Sequence, residues 1–163
     1  MTRINRFSSR TLLGALAPLS MALPLTALAP AVLAQHQSAP AVGVVAPAPG
    51  ARPLFINLTS DDAHRARMAI GFGGNQLQAG HPLTIYLNDR GVLLVSRAHS
   101  AQFAEQQQLL TALHKAGAQV LVCPMCMKHF GVSPQDLIVG AQASNPRLTN
   151  QALFQPGSIS LSW

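Results

Sequence analysis

The chain has 163 residues, a formal net charge of +6 and 48% hydrophobic residues, a length that suits one folded domain and no more. Three of its basic residues, Arg3, Arg6 and Arg10, lie within the first ten positions, so the net charge says little about the rest of the chain. The sequence has no basic stripe interleaved with aromatic residues, which argues against nucleic acid as a partner.

Residues 1–34 have the pattern of an export signal. The arginines of the first ten residues are followed by an apolar, uncharged run at 11–33. At its end, Val32-Leu33-Ala34 places small residues at the two positions that a signal peptidase recognises. We expect cleavage after Ala34, with Ala29 as the second choice, and a periplasmic or secreted mature protein. An uncleaved anchor is the alternative. Three prolines in the run disfavour a membrane-spanning helix, so we expect no stable membrane insertion after cleavage.

Behind the signal, the composition predicts a linker and then one folded domain. Residues 35–52 are rich in alanine, proline and glycine without apolar periodicity, which is typical of a semi-extended linker. Residues 53–163 contain short apolar runs that predict buried strands, an element packed at the sheet edge and a closing half-buried strand. In chain order these segments are 54–58, 83–87, 120–122, 137–139 and 159–163.

Helices are predicted between these strands. Ser60-Asp61-Asp62 supplies capping oxygens for the first helix, and Gly80 and Gly117 are placed as left-handed stops after the first and second. The predicted helices are 63–77, 103–116, a short turn from Ser133-Pro134, and a last helix from Asn145-Pro146 to about 154. Strands alternating with helices predict an α/β fold with a parallel sheet covered on both faces.

In parallel sheets of this kind, ligands and chemistry gather beyond the carboxyl ends of the strands. Three polar segments follow predicted strands at that edge: 59–62, 88–91 and 123–129. The sequence therefore directs attention to these three segments.

The third segment contains the only two cysteines, Cys123 and Cys126, in the sequence V-C-P-M-C-M-K-H. Backbone N–H groups at a helix start stabilise an anion and lower the pKa of a thiol. Lys128 and His129 add positive charge within the next turn or two. The pattern predicts a reactive pair in which Cys123 is the more acidic thiol and in which Lys128 and His129 tune the thiolate.

Three other interpretations of the cysteine pair remain open. In an oxidising compartment the pair could form a purely structural disulfide, although so small a loop gives little entropic stabilisation. The pair and His129 could share a metal ion, but a fourth ligand would have to come from His81, His99 or His114. We therefore expect no metal and no cofactor. Thioredoxin-like redox chemistry suits C-P-x-C, yet in that fold the motif lies early in the chain and usually follows an aromatic residue.

Four stretches of the predicted domain carry a family likeness through their order and spacing. They are the first strand, polar turn and helix through Q-A-G-H at 78–81; I-Y-L-N-D-R-G-V at 85–92; A-G-A-Q-V-L-V-C-P-M-C at 116–126, continuing to 138; and the last helix with S-L-S-W at 160–163. Together they resemble the DsrE/DsrF-like family, which includes the Tus sulfur-relay subunits. The resemblance implies a three-layer α/β/α domain with a mostly parallel five-stranded sheet, assembled as a trimer or hexamer.

The resemblance also implies a chemistry. In sulfur-relay members a cysteine at the end of this strand carries sulfur as a persulfide, and that position matches Cys123. Cys126 would be the resolving thiol, and the partners would be a sulfur donor or acceptor protein or a small thiol. This chain departs from the relay members in carrying an export signal, since they work in the cytoplasm. The competing hypothesis is a non-catalytic, oligomeric binding module of the same fold with a structural cysteine pair.

Overall fold

The computed structural model describes residues 43–163, and the predicted export signal lies outside the described residues. Five strands form one sheet in the order β4-β3-β2-β1-β5, and every neighbouring pair is parallel. The strands are β1 (Leu54–Leu58), β2 (Leu83–Leu87), β3 (Gln119–Val122), β4 (Ala141–Ala143) and β5 (Ile159–Ser162). The α/β fold and the five-stranded sheet predicted from the sequence are confirmed, and the sheet is parallel throughout.

Helices cover both faces of the sheet. The α-helices are α1 (Ala63–Gln78), α2 (Ser100–Lys115), α3 (Pro124–Phe130) and α4 (Pro146–Leu153). On one face, α1 and α2 pack on alternate strand residues such as Ile56 and Ile85. On the other face, Ala152 of α4 packs on Phe55 and Leu121. Side chains of a strand alternate between the two faces, so these contacts make three layers.

Local signals in the sequence explain where α1 begins and ends. Asp62 accepts a hydrogen bond from the backbone N–H of Arg65 at 2.8 Å, as an N-cap does. Gly80 lies just beyond the helix with φ +89°, a conformation that favours glycine. Inside the helix, a Cβ on Gly73 would lie 2.9 Å from Cδ1 of Ile56, so glycine lets α1 approach the sheet closely.

The strand at the edge of the sheet beside β3 is one that the sequence did not predict. The apolar run 137–139 is not a strand; Leu137 makes one isolated antiparallel bridge to Ser96, and the edge strand is β4, which begins after Gly140. A Cβ on Gly140 would lie 2.4 Å from the ring of His114, so the chain turns there against α2. Within this run Ile138 packs in the core while Val139 is 75% exposed, and the smaller residues 141–143 make the hydrogen bonds to β3. The apolar segment before α2 forms a 3₁₀ helix, Asp89–Val95.

Part of the predicted linker lies within the described residues. The backbone N–H of Val45 donates to the carbonyl of Ala116 at 2.9 Å, and that of Ala48 donates to the carbonyl of Gly80 at 3.0 Å. These bonds place the residues just before β1 on the carboxyl ends of α2 and α1. Among residues 43–163, no helix has the length and apolar character needed to cross a membrane.

Candidate functional site

The three polar segments that the sequence singled out meet at the carboxyl edge of the sheet. Arg90 donates two hydrogen bonds to the carboxylate of Asp61, at 2.9 and 2.6 Å. The guanidinium carbon of Arg90 also lies 5.9 Å from the ring centroid of Phe130 in α3. Hydrogen bonds from Arg90 hold the pKa of Asp61 below its ordinary value. Arg90 therefore joins the loops after β1 and β2 to the helix that carries Cys126.

Cys123 lies between β3 and α3, as predicted. Its backbone N–H donates to the carbonyl of Leu87 at 2.9 Å, continuing the strand pairing. It is also the N-cap of α3, since its sulfur accepts a hydrogen bond from the backbone N–H of Cys126 at 3.3 Å. Pro124 takes the first helical position, where the absence of an N–H costs nothing. Cys123 is only 5% exposed, so its sulfur is held in a defined place.

The pKa of the Cys123 thiol is lowered. Burial alone would raise it, but hydrogen bonds to the sulfur outweigh burial. The backbone N–H of Cys126 donates to this sulfur at 3.3 Å, and the Cys126 thiol, the Tyr86 hydroxyl and the Met125 backbone N–H lower the pKa further. Each of these donors stabilises the thiolate more than the thiol. The arrangement favours a nucleophilic sulfur at Cys123.

The second thiol has the opposite character. Burial raises the pKa of Cys126, and its hydrogen bond to Cys123 raises it further because the shared proton is held on Cys126. A hydrogen bond from the backbone N–H of Asp89 acts against this. Asp89 has φ +47°, unusual for a residue other than glycine, and this conformation belongs to the loop beside the pair. Both cysteines are free thiols, so the pair combines one thiol of lowered pKa with one of raised pKa.

Tyr86 is the residue of this site that sequence reasoning missed. It lies on β2, paired with Leu121 of β3, and its ring centroid is 5.8 Å from that of Phe55. Burial and the contact with Cys123 raise the pKa of Tyr86, so its hydroxyl keeps its proton and can donate it in a hydrogen bond. Tyr86 is the single tyrosine of the chain. Only the adjacency of β2 and β3 reveals its role.

Lys128 and His129 lie elsewhere on α3. Both are exposed in its last turn, where cations interact favourably with the helix dipole. The His129 ring stands edge-on to Phe130, with centroids 4.7 Å apart. The hydrogen bonds that lower the pKa of Cys123 come from other residues. Tuning of the thiolate by Lys128 and His129 therefore stays a prediction.

The histidines considered as further metal ligands are held elsewhere. His81 contacts the carbonyl of Arg52 at 2.9 Å, His114 packs on Gly140, and His99 lies beside Phe103. Within residues 43–163, no three of the His, Cys, Asp and Glu side chains are grouped closely enough to hold a metal ion. The four-ligand arrangement considered from the sequence is therefore not formed by the described part of the chain.

A row of polar side chains extends from Tyr86 along the same edge. Asn88 donates to the side-chain oxygen of Asn57 at 2.6 Å, and Asn57 donates to the hydroxyl of Ser162 at 3.3 Å. The register pairs Asn57 with both Tyr86 and Ser162, so these three side chains share one face of the sheet. The row is partly exposed and provides hydrogen-bonding groups close to the cysteine pair.

The Tyr86 hydroxyl gives a direct test of how the thiolate is stabilised. Tyr86→Phe keeps the ring beside Phe55 but removes one donor to Cys123, so the pKa of Cys123 is expected to rise. In a Cys126→Ser background, iodoacetamide should then react several-fold more slowly at about pH 6.5, with the whole pH profile moved to higher pH. An unchanged profile would show that the hydroxyl does not stabilise the thiolate. The unfolding temperature serves as the control and is expected to change little.

Comparison with known proteins agrees with this fold. Residues 54–155 match the DsrE/DsrF-like family. Among similar solved structures, YchN from E. coli has 18% identity and a TM-score of 0.54, with 69% of this chain and 99% of that chain covered. MTH1491 from Methanobacterium thermoautotrophicum, a protein of unknown function, has 17% identity and a TM-score of 0.53, with the same coverage. BT1422 from Bacteroides thetaiotaomicron, also of unknown function, has 18% identity and a TM-score of 0.50, with 69% and 95% covered.

No curated protein sequence shows a significant match. The solved structures share the fold at low identity, and the family match covers most of the chain, including β1 to β4 and the cysteine pair. The likeness inferred from the four sequence stretches is thereby confirmed. The chain belongs to the DsrE/DsrF-like family.

Proposed function

We propose that the protein is an exported sulfur carrier or thiol-redox protein, with Cys123 as the persulfide-accepting nucleophile and Cys126 as the resolving thiol. The observation that carries this proposal is the hydrogen bond of 3.3 Å from the backbone N–H of Cys126 to the sulfur of Cys123, in a pair of free thiols whose pKa values are shifted in opposite directions. Membership in the DsrE/DsrF-like family supports a role related to sulfur relay. The partners would be a sulfur donor, which is a protein or small-molecule persulfide, and a thiol acceptor.

Loading would begin with attack by the Cys123 thiolate on the outer sulfur of a donor persulfide. A new S–S bond forms at Cys123 while the S–S bond of the donor breaks, and the donor leaves as its thiolate. The donor persulfide becomes a thiol as the Cys123 thiol becomes a persulfide, so the step as a whole needs no outside oxidant or reductant. The backbone N–H groups of Met125 and Cys126 are placed to stabilise the negative charge on sulfur before and after transfer.

Two routes would unload the outer sulfur. An acceptor thiolate can attack it, and Cys123 then leaves as the thiolate, ready for another cycle. Alternatively, the sulfur of Cys126 attacks the inner sulfur of the Cys123 persulfide and forms a disulfide with it. The outer sulfur then leaves as hydrosulfide, which takes the proton that Cys126 gives up. The second route oxidises the pair, so an external dithiol must reduce it afterwards. The raised pKa of Cys126 favours the first route until Cys126 is deprotonated.

Intact mass after treatment with a small persulfide, such as glutathione persulfide, tests this function. The reduced Cys126→Ser variant is expected to gain one sulfur atom, because Cys123 is loaded and cannot be resolved internally. Cys123→Ser is expected to gain none, and the wild-type protein should accumulate the intramolecular disulfide. A Cys126→Ser variant that gains no sulfur, together with a wild type that forms no disulfide, would overturn the carrier function and favour the non-catalytic binding module.

The proposal includes export and self-assembly. The leader pattern supports a mature chain that begins at Gln35 in the periplasm or outside the cell, and N-terminal sequencing that finds Met1 retained in exported protein would contradict it. Family membership supports a homo-oligomer, a trimer or hexamer, and association buries apolar surface that a small domain leaves exposed. A strictly monomeric mass by light scattering would contradict the assembly.

A further inference from the structure

The cysteine pair also has the features of a binding site for a soft metal ion. Cys123 and Cys126 are free thiols, and the backbone N–H of Cys126 donates to the sulfur of Cys123 at 3.3 Å. This hydrogen bond holds both cysteines in one turn at the start of α3, where side-chain rotation can bring the two sulfurs onto one ion. Thiolate sulfur is a ligand that selects soft ions such as Cu(I).

The number of available ligands discriminates between metals. Zn²⁺ in structural sites takes four ligands in a tetrahedral arrangement, and hard ions such as Mg²⁺ and Ca²⁺ require several oxygens. Residues 43–163 bring no third His, Cys, Asp or Glu close enough to the pair for shared binding. Two sulfurs alone suit Cu(I), a monovalent d¹⁰ ion that is stable between two thiolates.

The surroundings of the pair suit a bound complex of this kind. Two thiolates and one Cu(I) carry a net negative charge, and the backbone N–H of Cys126 already donates to the sulfur of Cys123. An N–H group that donates to a metal-binding sulfur fixes the orientation of that sulfur and stabilises its negative charge. Buried Met127 and the low exposure of Cys123 restrict water on the inner side of the site, which protects a reduced ion.

We propose that the reduced pair binds one Cu(I) ion through the thiolates of Cys123 and Cys126. Two thiols lose their protons to solvent as the two Cu–S bonds form, and no electron is transferred because the ion is supplied as Cu(I). Affinity therefore increases with pH, because both ligands bind as thiolates and metal binding releases their protons. This site does not depend on sulfur transfer, although a persulfide or disulfide at Cys123 removes one of its ligands.

Anaerobic titration of the reduced mature protein with Cu(I), in competition with the chromophoric chelator bicinchoninate, tests the site. One Cu(I) per chain is expected. Cys123→Ser and Cys126→Ser should each weaken binding by more than about 100-fold, beyond the range typical for changes outside the ligand shell. Met125→Leu is the matched control, because this 81% exposed thioether lies between the two cysteines and outside the proposed ligand set. Its affinity is expected to match the wild type.

Three results would overturn the two-thiolate site. They are Cu(I) binding that survives in either cysteine variant, a Zn²⁺ affinity comparable to that for Cu(I), and a clear loss of affinity in Met125→Leu. Circular dichroism confirms that each variant is folded. Sulfur uptake measured by mass separates this proposal from the carrier function, because Cys126→Ser is expected to take up sulfur while losing Cu(I).

Discussion

Cys126→Ser is expected to keep rapid alkylation by iodoacetamide at about pH 6.5, whereas Cys123→Ser is expected to lose it, with rates differing at least about tenfold. Hydrogen bonds lower the pKa of Cys123, and burial together with the contact to Cys123 raises the pKa of Cys126. Serine at position 126 retains a backbone N–H and an O–H donor toward Cys123. Rates measured from pH 5 to 9 on each single-cysteine variant give the two titration curves.

The pH profile matters more than a rate at one pH, because Cys123 is only 5% exposed and restricted access slows any reagent. The thiolate fraction changes the shape of the profile, whereas access scales the rate at every pH. A curve for Cys126 that rises at lower pH than the curve for Cys123 would reverse the assigned roles. If both curves follow that of free cysteine, neither thiol is activated and the cysteine pair is structural.

Gly91→Ala is expected to destabilise the fold by about 3 kcal/mol, at the upper end of overpacking effects. A Cβ at this position would lie 2.3 Å from the carbonyl oxygen of Leu58, which belongs to β1 and cannot rotate away as a side chain can. The backbone N–H of Gly91 also donates to the carbonyl of Thr59 at 3.1 Å, so the loop cannot withdraw without losing that bond. Chemical denaturation, monitored by circular dichroism, measures the free energy of unfolding.

Gly71→Ala is the matched control for this prediction. Gly71 lies inside α1, and nothing stands within 4 Å of the Cβ that alanine would add. Alanine there should stabilise the protein by about 0.5–1 kcal/mol, because it restricts the unfolded chain and favours the helix. If the two variants had similar stabilities, the close packing of the 88–91 loop on β1 would not be an important constraint.

The part of the candidate site formed by neighbouring residues in the chain could be predicted from the sequence. An apolar run ending at Cys123 predicted the strand, and Pro124 directly after it suited a helix start, so the sulfur could be placed at an N-cap. The same reasoning predicts that Cys123 is the more acidic thiol, because backbone N–H groups at a helix start stabilise a thiolate. These inferences depend on residues within one or two turns of each other, where chain connectivity fixes the geometry.

The contributions of residues from other strands and loops could not be predicted in the same way. Tyr86 is 37 positions before Cys123, and the Asp89 N–H reaches Cys126 from a loop whose backbone has a positive φ. The sequence instead directed attention to Lys128 and His129, which are close to the pair along the chain. In the fold these two side chains lie exposed in the last turn of α3. Closeness along the chain does not by itself establish contact with the sulfur of Cys123, the N-cap of this helix.

The sequence by itself determined four of the five strands, the helices between them, and the strand end that carries the thiol. Apolar periodicity, capping residues and glycine stops act over a few residues and need no knowledge of the partner. Only the tertiary structure decided that β2 lies beside β3, that β4 begins after Gly140, and that Tyr86 and Asp89 influence the pKa values of the pair. Strand order and register arise from hydrogen bonds and packing between segments far apart in the chain, and those pairings set the chemistry around both sulfurs.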